Sequence, residues 1–413
     1  MSMSSTVQSA TNACPHNTVA TAPSPPICGG NECVIGCNGG AGSGGGSGKS
    51  SPMVDTVHQP TILLRGSIAR SIYERMQREE QLKQFDKTRW YSVDLPMIDE
   101  QNPELSGQFV QMDYDCQTRQ FINQCYEKSD QYFTHLFQSI ARTILCLFMS
   151  STSVNGLLGR GSMFVFSDQQ FRTLIGDYDG RRQLTTDYDC HNTRQHSNSN
   201  NGFCTARPPP PIINSQTTIG GNNNNNNDQK TERILLDIGA GDGKVTEIMA
   251  KYFDKIYTTE ISSVMRKILL KKGYHTLDID EWHEYGLEFD VIACLNVLDR
   301  CDRPMTMLEQ MKSSLRPKSG LIVLALVLPF SQYVEVNNDN QGAAQVGIPT
   351  EQLPIDGHTF EEQLTSFVDN ALTPNGLQVV KWTKLPYLCE GDLELTYYWL
   401  YDVVLVLKTF EED

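Results

Sequence analysis

Ile234-Leu235-Leu236-Asp237-Ile238-Gly239-Ala240-Gly241-Asp242-Gly243 is the stretch whose reading decides the fold. Its first five residues read as a buried strand, apolar except for Asp237, whose carboxylate stands inside the strand end. Alternating glycines follow, and Val245, Ile248, Met249 and Tyr252 then recur at the i, i+3, i+4, i+7 spacing of a helix with one apolar face. Strand, glycine turn and helix is the pattern. Without Cβ atoms, alternate residues of the turn let backbone N–H groups come close to a ligand at the helix N-terminus. The alternative is a turn whose glycines only allow the helix to pack closely on its strand.

A glycine-rich βα turn serves dinucleotides, nucleotides and S-adenosylmethionine, so the details decide. The spacing here is Gly-x-Gly-x-Gly, not the Gly-x-Gly-x-x-Gly of the dinucleotide fingerprint, and an acid occupies the strand end. Both departures favour the methyl donor. A second strand, Lys255-Ile256-Tyr257-Thr258-Thr259, ends in Glu260 about twenty residues on, where a carboxylate can take both ribose hydroxyls. The cofactor set expected is therefore Asp237, Gly239, Ala240, Gly241, Gly243 and Glu260. Asp280, just beyond a third strand, Asn296 beyond a fourth, and the Arg160-Gly161 loop complete it.

The chain has 413 residues, 39% of them apolar, which suffices for two domains, yet its polar stretches leave one core domain as the expectation. A formal charge of −15 argues against a nucleic-acid partner, which would call for a clustered basic face. Twelve cysteines are scattered without paired spacing and no signal peptide precedes them, so reduced thiols in a cytosolic setting are expected. No apolar run reaches the length of about 18 residues that a membrane span needs. Residues 133–148 come nearest, but they contain His135, Gln138 and Arg142 and keep helical periodicity, which reads as a core or docking helix.

Residues 1–60 are rich in Ser, Thr, Pro, Gly and Asn and read as a disordered tail. Within it, Gly44-Gly45-Gly46-Ser47-Gly48-Lys49-Ser50 imitates a phosphate-binding loop. The first required glycine is Ser43 and no strand leads in. Cys28, Cys33 and Cys37 lack zinc spacing and a histidine partner, so no metal is assigned. Residues 61–78 predict a short helix, continuous order is expected from near Trp90, and apolar faces including Phe121, Ile122, Phe133, Phe137 and Ile140 predict a helical layer, over 61–175, that packs on the sheet. Gly159-Arg160-Gly161 is a loop signal. Its arginine either touches the cofactor or pairs with a surface acid. Residues 176–232, with a proline run at 208–211 and an asparagine run at 222–227, read as a disordered insertion.

From 233 to 413 the α/β alternation continues. Further strands are read at 274–279, 289–295 and 321–328, a helix around Met307, Met311 and Leu315, a small polar insertion at 337–347, a helix at 360–372 and late strands at 377–382 and 399–407. Five parallel strands with right-handed crossovers and a terminal antiparallel hairpin make a mostly parallel seven-stranded sheet, the Rossmann-like class I methyltransferase pattern. In such a sheet the ligand sits beyond the carboxyl ends of the strands. Asn296, Asp299 and Arg300 stand there after the fourth strand, although Asp299 and Arg300 have the alternative role of capping the helix that starts near Pro304. In the loop before the last strand, Tyr387 can wall a flat ring and Glu390 and Asp392 attract a cation, unless it is a turn with solvated acids.

Several longer runs are similar to the DREV family of methyltransferase-like proteins: Leu157-Leu158-Gly159-Arg160-Gly161-Ser162-Met163-Phe164-Val165-Phe166-Ser167, Leu236-Asp237-Ile238-Gly239-Ala240-Gly241-Asp242-Gly243, Cys294-Leu295-Asn296-Val297-Leu298-Asp299-Arg300-Cys301-Asp302, Ala325-Leu326-Val327-Leu328-Pro329-Phe330 and Leu385-Pro386-Tyr387-Leu388-Cys389-Glu390-Gly391-Asp392. The resemblance spans Trp90 to the C-terminus apart from the two insertions. It implies a protein-histidine methyltransferase that uses S-adenosylmethionine and modifies the ring nitrogen nearer the main chain, the pros nitrogen, in His-x-His tracts of protein substrates. The long Asn-rich insertion, and the lack of the hydrophobic N-terminus some members carry, bear on localisation more than on chemistry. A cytoplasmic monomer is expected, with endomembrane or mitochondrial association as the alternative.

The residues suit the implied reaction. Methyl transfer needs the lone pair of a neutral imidazole aimed at the sulfonium methyl at roughly 3 Å. An aspartate that accepts the other ring N–H holds the tautomer and stabilises the cation that forms, as in a Ser-His-Asp triad. Asp299 is the candidate for that role. Asn296 would bridge cofactor and substrate, Tyr387 would pack on the imidazole, Arg300 would bind substrate, and Glu390 and Asp392 would add negative potential.

Overall fold

Neighbouring apolar residues that are both buried mark strands covered on two faces, because successive side chains of a strand point to opposite sides. Leu235 and Leu236, Val291 and Ile292, and Val323 and Leu324 are such pairs. Leu236, Ile292 and Leu324 enter one core with Trp282, Phe367 and Trp382, while Leu235, Val291 and Val323 enter a second with Trp90, Phe166 and Phe171. The computed structural model describes residues 66–145, 151–176, 232–332, 334–336, 345–347 and 349–410. The readings made for 1–60, with its loop and cysteine motifs, and for 177–231 lie outside the described residues.

In chain order the helices and strands are α1 (Ser67–Gln84), α2 (Leu95–Gln101), α3 (Pro103–Gly107), α4 (Cys116–Ser129), α5 (Tyr132–Leu145), α6 (Ser151–Leu158), β1 (Met163–Phe164), α7 (Asp168–Ile175), β2 (Ile234–Ile238), α8 (Lys244–Ala250), β3 (Lys255–Thr259), α9 (Ser263–Lys271), β4 (His275–Leu277), β5 (Val291–Leu295), α10 (Pro304–Ser313), β6 (Leu321–Val327), β7 (Val334–Val336), β8 (Gln345–Gly347), α11 (Phe360–Phe367), β9 (Leu377–Glu390) and β10 (Tyr397–Thr409). The sheet order is β1-β9-β10-β6-β5-β2-β3-β4. β6, β5, β2, β3 and β4 pair in parallel, and β10, β9 and β1 are antiparallel. The parallel strands and the terminal hairpin are as expected.

The seven-stranded count is corrected to eight. The added strand, β1, comes from the run after Gly161 and pairs Met163 with Cys389 and Phe164 with Leu388. It exists because the hairpin arms are longer than their apolar patterning suggested, and an outer arm reaching Glu390 would otherwise expose bare backbone donors and acceptors. β10 pairs with β6 only from Asp402 to Leu407. Beyond Tyr401, whose carbonyl still accepts from the Leu328 N–H (2.9 Å), residues 397–400 run past the carboxyl end of β6 and pair with β9. The hairpin thus rises as a wall above the edge where β2 and β5 leave the sheet, and strand order reverses between those two strands.

The helical layer differs from expectation in two places. α1 runs to Gln84, beyond the helix read at 61–78, and is pinned to the hairpin tip by Glu79, whose Oε1 accepts from the Thr396 N–H (2.7 Å) and hydroxyl (2.8 Å). α5 turns its apolar face outward, with Phe133 84% and Phe137 69% exposed, and buries His135 and Arg142 instead. His135 Nε2 lies 2.8 Å from Lys128 O, which ties this polar face of α5 to the end of α4. Within the polar insertion read at 337–347, residues 345–347 form β8, which pairs with β7. Among the described residues no helix is long and apolar enough to cross a membrane.

Candidate active site

The three glycines of the β2–α8 turn have different reasons to be glycine. A Cβ on Gly239 would lie 2.7 Å from Val297 Cγ2, and one on Gly243 would lie 2.8 Å from Leu269 Cδ2, so both permit close packing. Gly241, with φ of 55°, faces open space. The packing alternative therefore holds for two of the three, and at Gly241 the turn is open. The turn's N–H groups are also spoken for: Gly239 donates to Thr259 Oγ1 (3.2 Å), Ala240 to Thr259 O (3.0 Å), Gly241 to Glu260 Oε2 (2.9 Å) and Gly243 to Ala240 O (2.9 Å). This corrects the expectation of N–H groups presented to the ligand. A turn whose donors are internally satisfied and whose flank is acidic suits a ligand that brings hydroxyl and ammonium donors rather than phosphates.

Glu260 is buried and braces that flank. Its Oε1 accepts from the Ser262 N–H (2.8 Å), and the Ser262 hydroxyl lies 2.8 Å from that of Ser153, tying α6 to the same corner. Each Glu260 oxygen retains a lone pair for a ribose hydroxyl. Asp237 is buried beneath the turn and accepts from the Thr246 hydroxyl (2.6 Å). Burial pushes its carboxyl up to about 7, with Thr246 pulling it down and Glu260 pushing it up. The folded, cofactor-free protein therefore holds a proton that the unfolded chain releases near the ordinary value of 3.8. Stability from this proton is complete below that value and is lost as pH rises toward 7, by on the order of 4 kcal/mol. We predict that Asp237→Asn removes this slope, so that the variant gains in Tm over wild type between about pH 5 and 7.5 in cofactor-free thermal melts. A pH-independent difference between the two proteins would refute it.

At the end of β5 the chain places Asn296 with φ of 56°, a left-handed conformation that asparagine tolerates better than most residues. Its N–H donates to Ala325 O (3.0 Å) and its Nδ2 to Asp402 Oδ2 (2.7 Å). Asp299 follows on the 3-10 turn Leu298–Arg300, its Oδ2 3.5 Å from Arg300 Nε. The capping alternative does not hold, because α10 begins after Arg303 with no side-chain cap hydrogen bond. Val297, between them, is the residue packed on Gly239, so the pair stands directly against the glycine turn.

Asp402 was missed in the sequence. It lies in the middle of an apolar strand, Trp399-Leu400-Tyr401-Asp402-Val403-Val404, and its only signal is that a carboxylate interrupts such a run. Antiparallel pairing with Val327 carries it to the carboxyl edge of β6, beside Asn296. Asn296 Oδ1 and Asp299 Oδ1 are both buried and have no hydrogen-bond partner among the described residues. An unpaired buried acceptor costs about 1–3 kcal/mol, a penalty that donors on a ligand relieve. The cluster is thus built to receive N–H or O–H groups.

The remaining candidates are placed differently. Arg160 is buried, and burial lowers its guanidinium below the usual range, opposed by Asp392. Gly161 follows it with φ of 72°, and the next residue, Ser162, accepts through its hydroxyl from Lys244 Nζ, so this loop lies beside the glycine turn. Glu390 and Asp392 are buried, not solvated. Glu390 pairs with Lys128 (2.7 Å), and Asp392 Oδ1 accepts from the Glu394 N–H (2.8 Å) and the Tyr398 hydroxyl (2.9 Å). Tyr387 sits within β9, not in a loop, packed in the second core with its hydroxyl 2.6 Å from Met163 Sδ. Continuation of β9 to Glu390 places Tyr387 and Glu390 on a strand, with Asp392 in the connection that follows. Asp280 is exposed three residues beyond β4, its N–H donating to Asp278 Oδ1 (2.9 Å).

A family model described as DREV methyltransferase matches residues 90–191 and 216–409. Among solved structures, the DhpI–SAH complex is similar at 14% identity, over 43% of this chain and 78% of that chain, with a TM-score of 0.29. A TehB-like SAM-dependent methyltransferase from Corynebacterium glutamicum is similar at 14% identity, over 43% of this chain and 81% of that one, with a TM-score of 0.28.

Proposed function

Since the chain belongs to the DREV methyltransferase family and uses S-adenosylmethionine, we propose that the methyl group goes to the pros nitrogen of histidine in His-x-His tracts of protein substrates. The observation that supports this acceptor is the buried pair of unpartnered oxygens, Asn296 Oδ1 and Asp299 Oδ1, set against the glycine turn. A neutral imidazole presents one N–H and one lone pair. An acceptor that holds the N–H turns the lone pair the opposite way.

Asp299 takes that N–H, fixes the tautomer and lowers the energy of the positive charge that the ring gains as the N–CH3 bond forms. The ring N–H proton then leaves, restoring a neutral methylimidazole. Asn296, one turn nearer the glycines, contributes a second acceptor. S-adenosylmethionine, when bound, would supply the methyl on a sulfonium, whose S–CH3 bond breaks as N–CH3 forms and leaves neutral S-adenosylhomocysteine. Glu260 would hold its ribose hydroxyls, the space over Gly241 its body, and Asp237 the turn beneath. Arg160, Glu390 and Asp392 neutralise one another and Lys128 inside the hairpin wall, which bounds the substrate side.

A peptide array incubated with labelled S-adenosylmethionine tests the reading. Label is expected on His-x-His peptides at the pros nitrogen, and the rate is expected to fall below about pH 6.5 as the substrate imidazole protonates. Cofactor binding with no transfer to any peptide would overturn it in favour of a non-catalytic cofactor-binding scaffold. Label found instead on a small molecule or on another side chain in an unbiased proteome experiment would reassign the acceptor.

A further inference from the structure

We propose that Asp402 is a positioning residue that acts through Asn296, holding the amide with its nitrogen toward the hairpin and its carbonyl oxygen free to accept a hydrogen bond from the substrate. This rests on the reading of Asn296 as a residue of the reaction site. Three features lead to it. Asp402 is fully buried in β10, yet the hydrogen bond it makes among the described residues is with Asn296 Nδ2, at 2.7 Å. The two ends of a planar amide point apart, so pinning the nitrogen to Asp402 sends Oδ1 away from the hairpin, where it is buried and unpartnered. The backbone leaves Asn296 little choice of position, since its N–H is bonded to Ala325 O and its φ is 56°.

An asparagine amide without such a partner can turn over and present N–H2 in place of the oxygen. A site meant to hold a donor N–H would then meet a donor, and discrimination would reverse. Asp402 removes that freedom. Burial pushes its carboxyl well above the usual range, Asn296 pulls it down, and Asp299 pushes it up again. Asp402 needs only one acceptor oxygen, Oδ2, to hold the amide nitrogen. Asparagine at this position should therefore do the same work, and leucine, of similar size, should not.

The test combines a mutant cycle with a spectroscopic readout, both on the full chain. Asp402→Leu is expected to lower kcat at least 10-fold with the dissociation constant for S-adenosylmethionine within about 3-fold of wild type, and Asp402→Asn to retain most of the rate. In an Asn296→Ala background, Asp402→Leu is expected to change the rate by less than about 2-fold, because its effect passes through the missing amide. Selective 15N-asparagine labelling should show one exchange-protected side-chain N–H2 signal that disappears in Asn296→Ala, shifts in Asp402→Leu and persists in Asp402→Asn. Undiminished kcat in Asp402→Leu, a full additional loss in the Asn296→Ala background, or an unmoved amide signal would each overturn the proposal. The amide signal does not depend on the acceptor's identity. If wild-type protein methylates no His-x-His peptide, the assignment of the substrate fails, while the Asp402–Asn296 coupling is still decided by this spectrum.

Discussion

Gly241→Arg is expected to lower the affinity for S-adenosylmethionine more than 100-fold, about 2.8 kcal/mol or more, as measured by calorimetry. The three glycines of the turn are not equivalent in this respect. Substitution at Gly239 or Gly243 would first strike Val297 or Leu269 and disturb packing, whereas a side chain at Gly241 enters open space and meets nothing of the protein within 4 Å of its Cβ. That space lies beside Glu260, which accepts the Gly241 N–H. An arginine there occupies the volume of the ligand, draws the Glu260 carboxylate to its guanidinium and repels a cationic sulfonium. The left-handed backbone adds about 1–2 kcal/mol of strain. Gly286→Arg provides the comparison, because Gly286 is also exposed to open space with φ of 63° but lies in the turn before β5. It should carry similar strain and leave cofactor affinity within a few-fold. Unchanged affinity in Gly241→Arg would show that the ligand lies elsewhere.

Asp299→Asn is expected to reduce methyl transfer by on the order of 10³-fold while S-adenosylmethionine still binds and the protein still melts cooperatively. The substitution conserves shape. It removes the negative charge beside a ring that becomes positive, and it allows the amide to offer a donor to a nitrogen that must itself donate. Because Asp299 does not cap α10 and its Oδ1 has no partner among the described residues, little of the fold depends on its charge. The measurement is single-turnover transfer to a His-x-His peptide alongside cofactor titration. Transfer at the wild-type rate would remove Asp299 from the chemistry, and loss of both binding and folding would make it a structural residue. Loss of transfer alone also excludes a scaffold that merely holds the cofactor.

Periodicity in the chain was enough to reveal the strand, the glycine turn and the acid at the end of the next strand, since each is set by contacts within a few residues. Helical spacing likewise located α8 and α10, and the position after β5 singled out Asn296 and Asp299, because in any parallel sheet the residues following a strand face the ligand edge. The orientation of α5 was not legible. Its apolar stripe is obvious, but which face turns inward depends on what the helix packs against, and His135 finds the Lys128 carbonyl at the end of α4. Between the two readings of Glu390 and Asp392, acids that attract a cation or solvated acids of a turn, the sequence could not choose, because Lys128 and Tyr398, which bury them, come from outside the local pattern.

Sequence alone determined the parallel core, the glycine turn and two of the three buried polar residues at the carboxyl edge of the sheet, all features of local pattern and chain order. Tertiary structure decided the eighth strand, the burial of Tyr387 in β9 and the arrival of Asp402 beside Asn296. The physical reason is pairing register. β10 meets β6 across a separation of some eighty residues, and the slide of one strand along another, which no local periodicity records, determines that Asp402 stands opposite Val327 at the open edge and not within the closed core.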